Sequence, residues 1–394
     1  MRLFSTPFRA ALLWCLALLM PGCIDPYMPE AISTTTNFLV VDGFINSDGI
    51  TTINLSRTYD ISSSATPPKV TRATVYIEED GGVRYNLRES SPGIYTSPNL
   101  RLNAAKNHRL HILTSDSKDY ASEYTAVKTT PPIDNITWRA VDTGLNIYVN
   151  THDDTNKTQY YRWEFEETWE IATPYSPFIE YRNGQIQSIT TPYPRLCWSN
   201  AKSADIKISN TTRLTKDVIS DFLLRSFPTT SELFNRRYSI LVKQYAQTAE
   251  EYMYWDLLRK NTEQIGTLFD PLPAQLTGNI RCLNDQAELA LGYVGVHSVQ
   301  EKRIFIARPE LPSTWRVQNG YESCVPPDTV FIAGPEIRLP PAQILQNAFS
   351  GPTYLPIAEV YNPISGNLVG YTAKSRDCID CRTRGSAIKP SFWP

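Results

Sequence analysis

Residues 37–58 read NFLVVDGFINSDGITTINLSRT, and this stretch decides the fold class. Residues 37–45 form an apolar strand pattern, Asn46-Ser47-Asp48-Gly49 has turn chemistry, and residues 51–56 alternate polar with apolar as the returning arm of a hairpin. The pattern then repeats, with strands expected at 73–78, 83–88, 93–96, 108–114 and 122–127. Asp80-Gly81-Gly82, Ser91-Pro92-Gly93 and Ser115-Asp116-Ser117 supply the turns between them. Short strands with a turn about every 8–12 residues describe an immunoglobulin-like or fibronectin-like β-sandwich over residues 37–130.

Thr129-Thr130-Pro131-Pro132 breaks the alternation as a linker does, and a second β unit opens at residues 133–140. Further strands are expected at 145–149, 160–171, 239–245, 291–298 and 302–307. In 160–171 the two-residue period puts Tyr161, Trp163, Phe165 and Glu167 on one face and Arg162, Glu164 and Glu166 on the other. Residues 173–198 are rich in proline and tyrosine and form a long excursion, since Pro174, Pro177, Pro192 and Pro194 each remove a backbone donor. Thr248, three residues before Glu251, has the spacing of a capping box, and Tyr252, Trp255, Leu258 and Arg259 recur at helical spacing until Gly266. A shorter helix is expected over 215–224. The expected architecture is mainly β, with two sandwich domains. The second, over 131–394, carries a helical and loop insertion at about 173–280 and a disulfide-bearing tail.

The chain has 394 residues and a formal net charge of −2, with no run of Lys or Arg longer than two. Nucleic-acid binding needs a concentrated basic footprint, which this order of residues lacks. At the amino end Arg2 and Arg9 precede an apolar run over 10–20 that stops at Pro21-Gly22-Cys23. A basic start, a short apolar segment and a small residue before the cut describe a secretory signal over residues 1–22, too short for a membrane span. The Gly22-Cys23 junction resembles the lipobox of bacterial lipoproteins, in which the cysteine is acylated, and residues 23–36 then serve as a polar, proline-broken tether.

Without Cys15 and Cys23, five cysteines remain: Cys197, Cys282, Cys324, Cys378 and Cys381. Outside the cytoplasm disulfides persist, and an odd number leaves at least one thiol unpaired. Cys378-Ile379-Asp380-Cys381 is a CxxC without the helical context of a redox motif, and the four histidines show no zinc-ligand spacing. A structural disulfide is the better reading, with Cys324 a partner for one of this pair, Cys197 a further candidate and the connectivity open. No metal or cofactor is expected.

Several ordered stretches carry a family resemblance: Cys23-Ile24-Asp25-Pro26, the hairpin above, Pro131-Pro132-Ile133-Asp134, YWDLLRKNTEQIGTLFDPLPAQLTGNI at 254–280, LGYVGVHSVQEKRIFI at 291–306, and the ending CIDCRTRGSAIKPSFWP. Together they resemble the Bacteroidetes domain-of-unknown-function family 4249. Gly385-Ser386 stands where a glycine pair is usual, and Cys282 has no place in the pattern. The resemblance implies an outer-membrane lipoprotein encoded beside TonB-dependent transporters of the SusC type, with no catalytic set to carry over, and Asp25 and Glu30 resemble the acidic tag of Bacteroidetes lipoproteins that face the cell surface.

No GxSxG or HExxH motif is present. Glu164 and Glu166 share a strand face while Glu167 points oppositely, so the paired carboxylates of a glycosidase are not set up and a hydrolase is the least supported class. The chain is expected to be a non-enzymatic binding or accessory subunit of a TonB-dependent β-barrel transporter, with a free surface adhesin or glycan- or peptide-binding lipoprotein as the alternative. Tyr175, Phe178, Tyr181, Tyr193 and Trp198 are the expected partner- or ligand-facing residues, because rigid aromatic rings favour recognition. Phe392 and Trp393 are expected to anchor the tail.

Overall fold

The opening hairpin forms as its alternation requires. In the computed structural model, which describes residues 37–59, 66–263 and 278–394, the strands Leu39–Asn46 and Asp48–Arg57 pair antiparallel. The expected lipid attachment at Cys23, signal over 1–22, tether over 23–36 and helix stop at Gly266 lie outside the described residues. Leu39, Val41, Ile45, Ile53 and Leu55 turn inward and are at most 2% exposed. At Gly43 φ is +135°, and a Cβ there would lie 2.4 Å from the Thr52 carbonyl oxygen, so glycine is required. This sheet continues through Ile94–Arg101 to Arg88–Ser91. The facing sheet runs Asp119–Ser122, Asn107–Leu113, Thr74–Glu79, Arg84–Asn86, and the two inner faces meet in a core that includes Val75, Ile77, Tyr95, Leu110, Ile112 and Tyr120.

Both sheets are completed from far along the chain. Ala290–Leu291 and Val296–His297 add in parallel to Leu39–Asn46, and Ile280–Cys282 adds antiparallel to Asp119–Ser122. Ile280, Cys282, Val294 and Val296 enter the same core. The sandwich expected over 37–130 therefore also uses residues 280–297, which alternation alone assigns to the second unit. These strands are two or three residues long, too short to show a period, and a parallel partner has no hairpin turn to announce it.

The Thr129–Pro132 connection is a linker in composition and a packed joint in structure. Thr130 is buried; its amide donates to Ser298 Oγ (2.9 Å) and its hydroxyl accepts from the Ala246 amide (3.0 Å). Gln244 Nε2 donates to the Pro131 carbonyl at 2.8 Å. Beside the joint, Asp153 organises its own turn. It accepts from the amides of Thr155, Lys157 and Thr158 at 2.9, 3.1 and 3.0 Å and from both threonine hydroxyls. Burial pushes this carboxyl up, but the donors outweigh burial and bring its pKa down to about 2. A depressed carboxyl stabilises the fold above its unfolded value near 3.8 and loses that contribution as pH falls through the folded value. Asp153→Asn is expected to cost up to about 2 kcal/mol near neutral pH and to flatten the stability profile between about pH 4 and pH 2. Urea titrations across that range check it; parallel acid losses in both proteins would refute it.

The second sandwich packs the sheet Ile133–Val141, Gly144–Asp153, Asp217–Pro228 against Leu196–Lys202, Tyr160–Ala172, Arg237–Ala246, Val299–Ala307, with Lys207–Asn210 also pairing on Tyr160–Ala172. Leu145, Ile147, Val149, Trp163, Tyr238 and Ile240 fill the space between them. The helix expected over 215–224 is instead part of the strand Asp217–Pro228. Its register shifts twice against Gly144–Asp153, so the residues turned inward or half-inward, Ile219, Phe222, Leu224 and Phe227, fall at irregular steps that imitate a helical spacing.

The helix Ala249–Glu263 forms where expected, with Thr248 Oγ1 accepting from the Glu251 amide at 3.2 Å. The other arm of the capping box is not made. Glu251 turns inward instead, with Oε1 3.4 Å from His297 Nε2 and Gln247 Nε2 donating to it at 3.3 Å. Burial pushes this carboxyl up, but His297 and its neighbours outweigh that and hold it low. His297 stacks on Phe44 with ring centres 4.4 Å apart and meets Tyr245 at 5.3 Å, so strands of both sandwiches close over this buried contact.

Residues 328–375 add a third element. Asp328–Phe331, Leu368–Ser375 and Tyr354–Tyr361 form an antiparallel sheet, on which the helix Pro341–Phe349 packs through Leu345 and Phe349. Proline at the first helical position suits a residue with no amide to offer. The excursion is not irregular throughout: Ile179–Arg182 pairs with Gln185–Ser188 around Asn183-Gly184, both at positive φ. The four prolines flank this hairpin, and Ile179, Tyr181 and Ile186 pack into the C-terminal cap.

Candidate functional site

The C-terminal cap is tied to the second sandwich by the disulfide Cys197–Cys381, and its two ends are joined by Cys324–Cys378. The CxxC does not close on itself; each of its cysteines takes a distant partner, one of them Cys324. Cys282 is the unpaired thiol and is buried. Ile171, Trp169, Tyr175 and Tyr321 pack around the bridges.

Between the two CxxC cysteines, the Asp380 side chain is 1% exposed. It accepts from Arg382 through Nε (2.8 Å), Nη2 (2.9 Å) and the backbone amide (3.2 Å). Arg376 donates to the same carboxylate through Nε (3.2 Å) and Nη2 (3.1 Å). Burial pushes the Asp380 carboxyl up, but the two guanidiniums outweigh it and hold the group below the usual carboxylate range. Sequence reasoning missed this cluster, although its signal was present: an aspartate inside the CxxC, with arginines four residues before and two after.

The five expected partner-facing aromatics divide. Tyr175 donates its hydroxyl to the Cys324 carbonyl at 2.8 Å. Trp198 is buried, meets Trp393 edge-on at 6.5 Å, and exchanges two backbone hydrogen bonds with Ser386. Tyr181 packs on Phe349 with centroids 6.2 Å apart. Tyr193 has the guanidinium carbons of Arg376 and Arg382 at 5.9 and 6.0 Å from its ring centre. Phe178, at 76% exposure, is the one that stands largely in solvent. A groove of about 340 Å³ lies between hairpin and cap, bringing Tyr181 and Tyr193 together with Phe349, Pro352, Leu355 and Arg376. The tail anchors as expected: Trp393 Nε1 donates to Glu170 at 2.8 Å, and Arg303 covers the Phe392 ring at 3.6 Å.

The strand carboxylates each have a different structural partner. Glu164 pairs with Arg162 and accepts from Tyr245 (2.8 Å), Glu166 pairs with Lys243 (2.9 Å), and buried Glu167 accepts from Tyr238 (2.6 Å). Among the described residues no group of His, Cys, Asp or Glu is arranged to hold a metal ion, and no helix is long and apolar enough to cross a membrane.

No curated protein matches the sequence. Among solved structures, a DUF4785 family protein from Legionella pneumophila is similar at 8% identity, over 52% of this chain and 51% of that one, with a TM-score of 0.19. The chain thus spans about half the length of that protein. Chitinase ChiA74 from Bacillus thuringiensis is similar at 13% identity over 44% and 29% of the two chains (TM-score 0.13), and the BSP domain of a biofilm associated protein at 7% over 74% and 62% (TM-score 0.15). A model of the Domain of unknown function (DUF4249) matches residues 24–303, a span that runs through the first sandwich and the joint and ends within the strand Val299–Ala307 of the second. The chain belongs to the DUF4249 family.

Proposed function

We propose that this protein is a lipid-anchored, non-enzymatic binding subunit that works beside a TonB-dependent β-barrel transporter in the outer membrane. The observation that carries the reading is the pair of long-range disulfides in the C-terminal cap, which form and persist in an oxidising compartment. They agree with the secretory signal and the Gly22-Cys23 junction at the other end of the chain. The transporter rests on the family resemblance, and the cap and its groove supply a surface for a partner or ligand. Cys23→Ala is expected to move the protein from the membrane fraction to soluble material, and mild-detergent purification of the wild type is expected to recover a much larger β-barrel partner. An unchanged membrane fraction would refute the anchor. Recovery of the lone lipoprotein in several detergents would favour a free surface adhesin or glycan- or peptide-binding lipoprotein.

A further inference from the structure

We infer that the groove beside Tyr193 is a receptor for the free carboxyl end of a peptide whose last side chain is apolar. The inference concerns the isolated chain and stands whether or not a transporter is its partner.

The charge arrangement comes first. Arg376 and Arg382 share one carboxylate, so the Asp380 cluster keeps a net charge of +1. Asp380 lies between two disulfide-bonded cysteines and is fully buried, so both guanidiniums are aimed by a backbone that the bridges hold in place. Each arginine uses Nε and Nη2 on Asp380. Among the described residues, neither Nη1 has a hydrogen-bond partner, and Asp377, next along the chain, forms no ion pair with either arginine. The side chains are 42% and 50% exposed, so these free donors can reach a ligand without unfolding anything. A planar guanidinium fork matches a carboxylate in geometry. One surplus positive charge balances a monoanion better than a phosphate dianion.

The groove supplies the second half. Tyr193, which has both arginines beside its ring, also lines the groove with Arg376, so the cationic end and the cavity are continuous. Tyr181, Phe349, Pro352 and Leu355 make apolar walls, and Glu180 also lines the groove, its Oε1 accepting from Gln187 (3.4 Å) and Thr190 (3.1 Å) and lying 3.8 Å from Arg182 Nη1, which balances its charge. A volume of about 340 Å³ takes one or two residues, and the aromatic and aliphatic part of the lining suits an apolar side chain. Capture of a terminal carboxylate next to a side-chain pocket is a recurring mode of peptide recognition.

The test uses the full-length chain in detergent micelles, titrated calorimetrically with three probes: acetyl-Ala-Leu-Phe as the free acid, the same peptide as its carboxamide, and digalacturonate. The free acid is expected to bind saturably, and the carboxamide at least about tenfold more weakly, the loss appropriate to one charge-assisted contact. Arg382→Gln, which removes one guanidinium from buried Asp380 and is expected also to lower the melting temperature, and Tyr193→Ala, at a half-exposed ring and with the melting temperature held, are each expected to weaken the free acid at least about tenfold. Equal binding of acid and carboxamide, no binding of the acid, or unchanged affinity in both variants would overturn the inference. Tighter binding of digalacturonate than of the peptide would overturn it in favour of an acidic sugar.

Discussion

Replacing Cys197 and Cys381 together by serine is expected to lower the melting temperature by about 10 °C or more. The bridge spans 184 residues, and closing a loop of that length in the unfolded chain is worth about 5 kcal/mol in the chain-entropy model. The 54-residue bridge Cys324–Cys378 is worth about 4 kcal/mol on the same basis. About 1 kcal/mol moves the midpoint of a domain of 150–250 residues by roughly 2–4 °C, which sets the size of the effect. The two losses are not expected to add. Both bridges end in one turn, and the inner one already shortens the loop that the outer one closes. Calorimetry of both serine pairs and of the fourfold variant measures this, and a midpoint for the Cys197/Cys381 pair within a degree or two of wild type would refute it.

The second large effect is expected at Trp163. This side chain is 0% exposed, with Phe222 stacked on it at 4.5 Å and Tyr161 at 5.8 Å. Its Nε1 donates to Gln244 Oε1 at 2.8 Å, and Gln244 passes its own donors to Thr151 and to the Pro131 carbonyl in the joint. Trp163→Ala is expected to cost about 3–5 kcal/mol through the cavity. The Gln244 oxygen left without a donor adds roughly 1–3 kcal/mol. Trp163→Phe keeps an aromatic in the cavity and removes the donor, so it is expected to lose the smaller part. Urea titration of the two variants separates packing from the polar link; equal losses would show that the cavity is not the dominant contribution.

The parts of the fold legible in the sequence are those whose partners are close along the chain. The 37–58 hairpin announces itself because its two arms alternate on either side of a turn. The Tyr160–Ala172 strand does so because Trp163, Phe165 and Glu167 hold a strict two-residue period, and Glu167 proves to be an inward carboxylate held by Tyr238. Residues 291–298 read as a strand, but nothing in 280–297 points to its place in the first sandwich, since the pairing partners are more than 150 residues away. The strand Asp217–Pro228 was misread because its register shifts erase the period. At the candidate site the cysteines were legible as a set, but their pairing depends on where the cap docks. Sequence alone does not separate internal from partner-facing use at Tyr175 and Trp198, both engaged within the chain, because an aromatic side chain carries the same signature whether it meets its own chain or another.

The late strands of the N-terminal sandwich set an order of events. A polypeptide is made from its amino end, so the hairpin at 37–58 emerges early and the strand Val296–His297 that lies along it emerges about 240 residues later. Synthesis at roughly 5–20 residues per second leaves that edge of Leu39–Asn46 without its partner for some ten seconds or more. An open strand edge is a template for wrong pairing with a neighbouring chain. Until the segment beyond the helix arrives that edge stays open, and the N-terminal sandwich closes only when residues 290–297 dock along it.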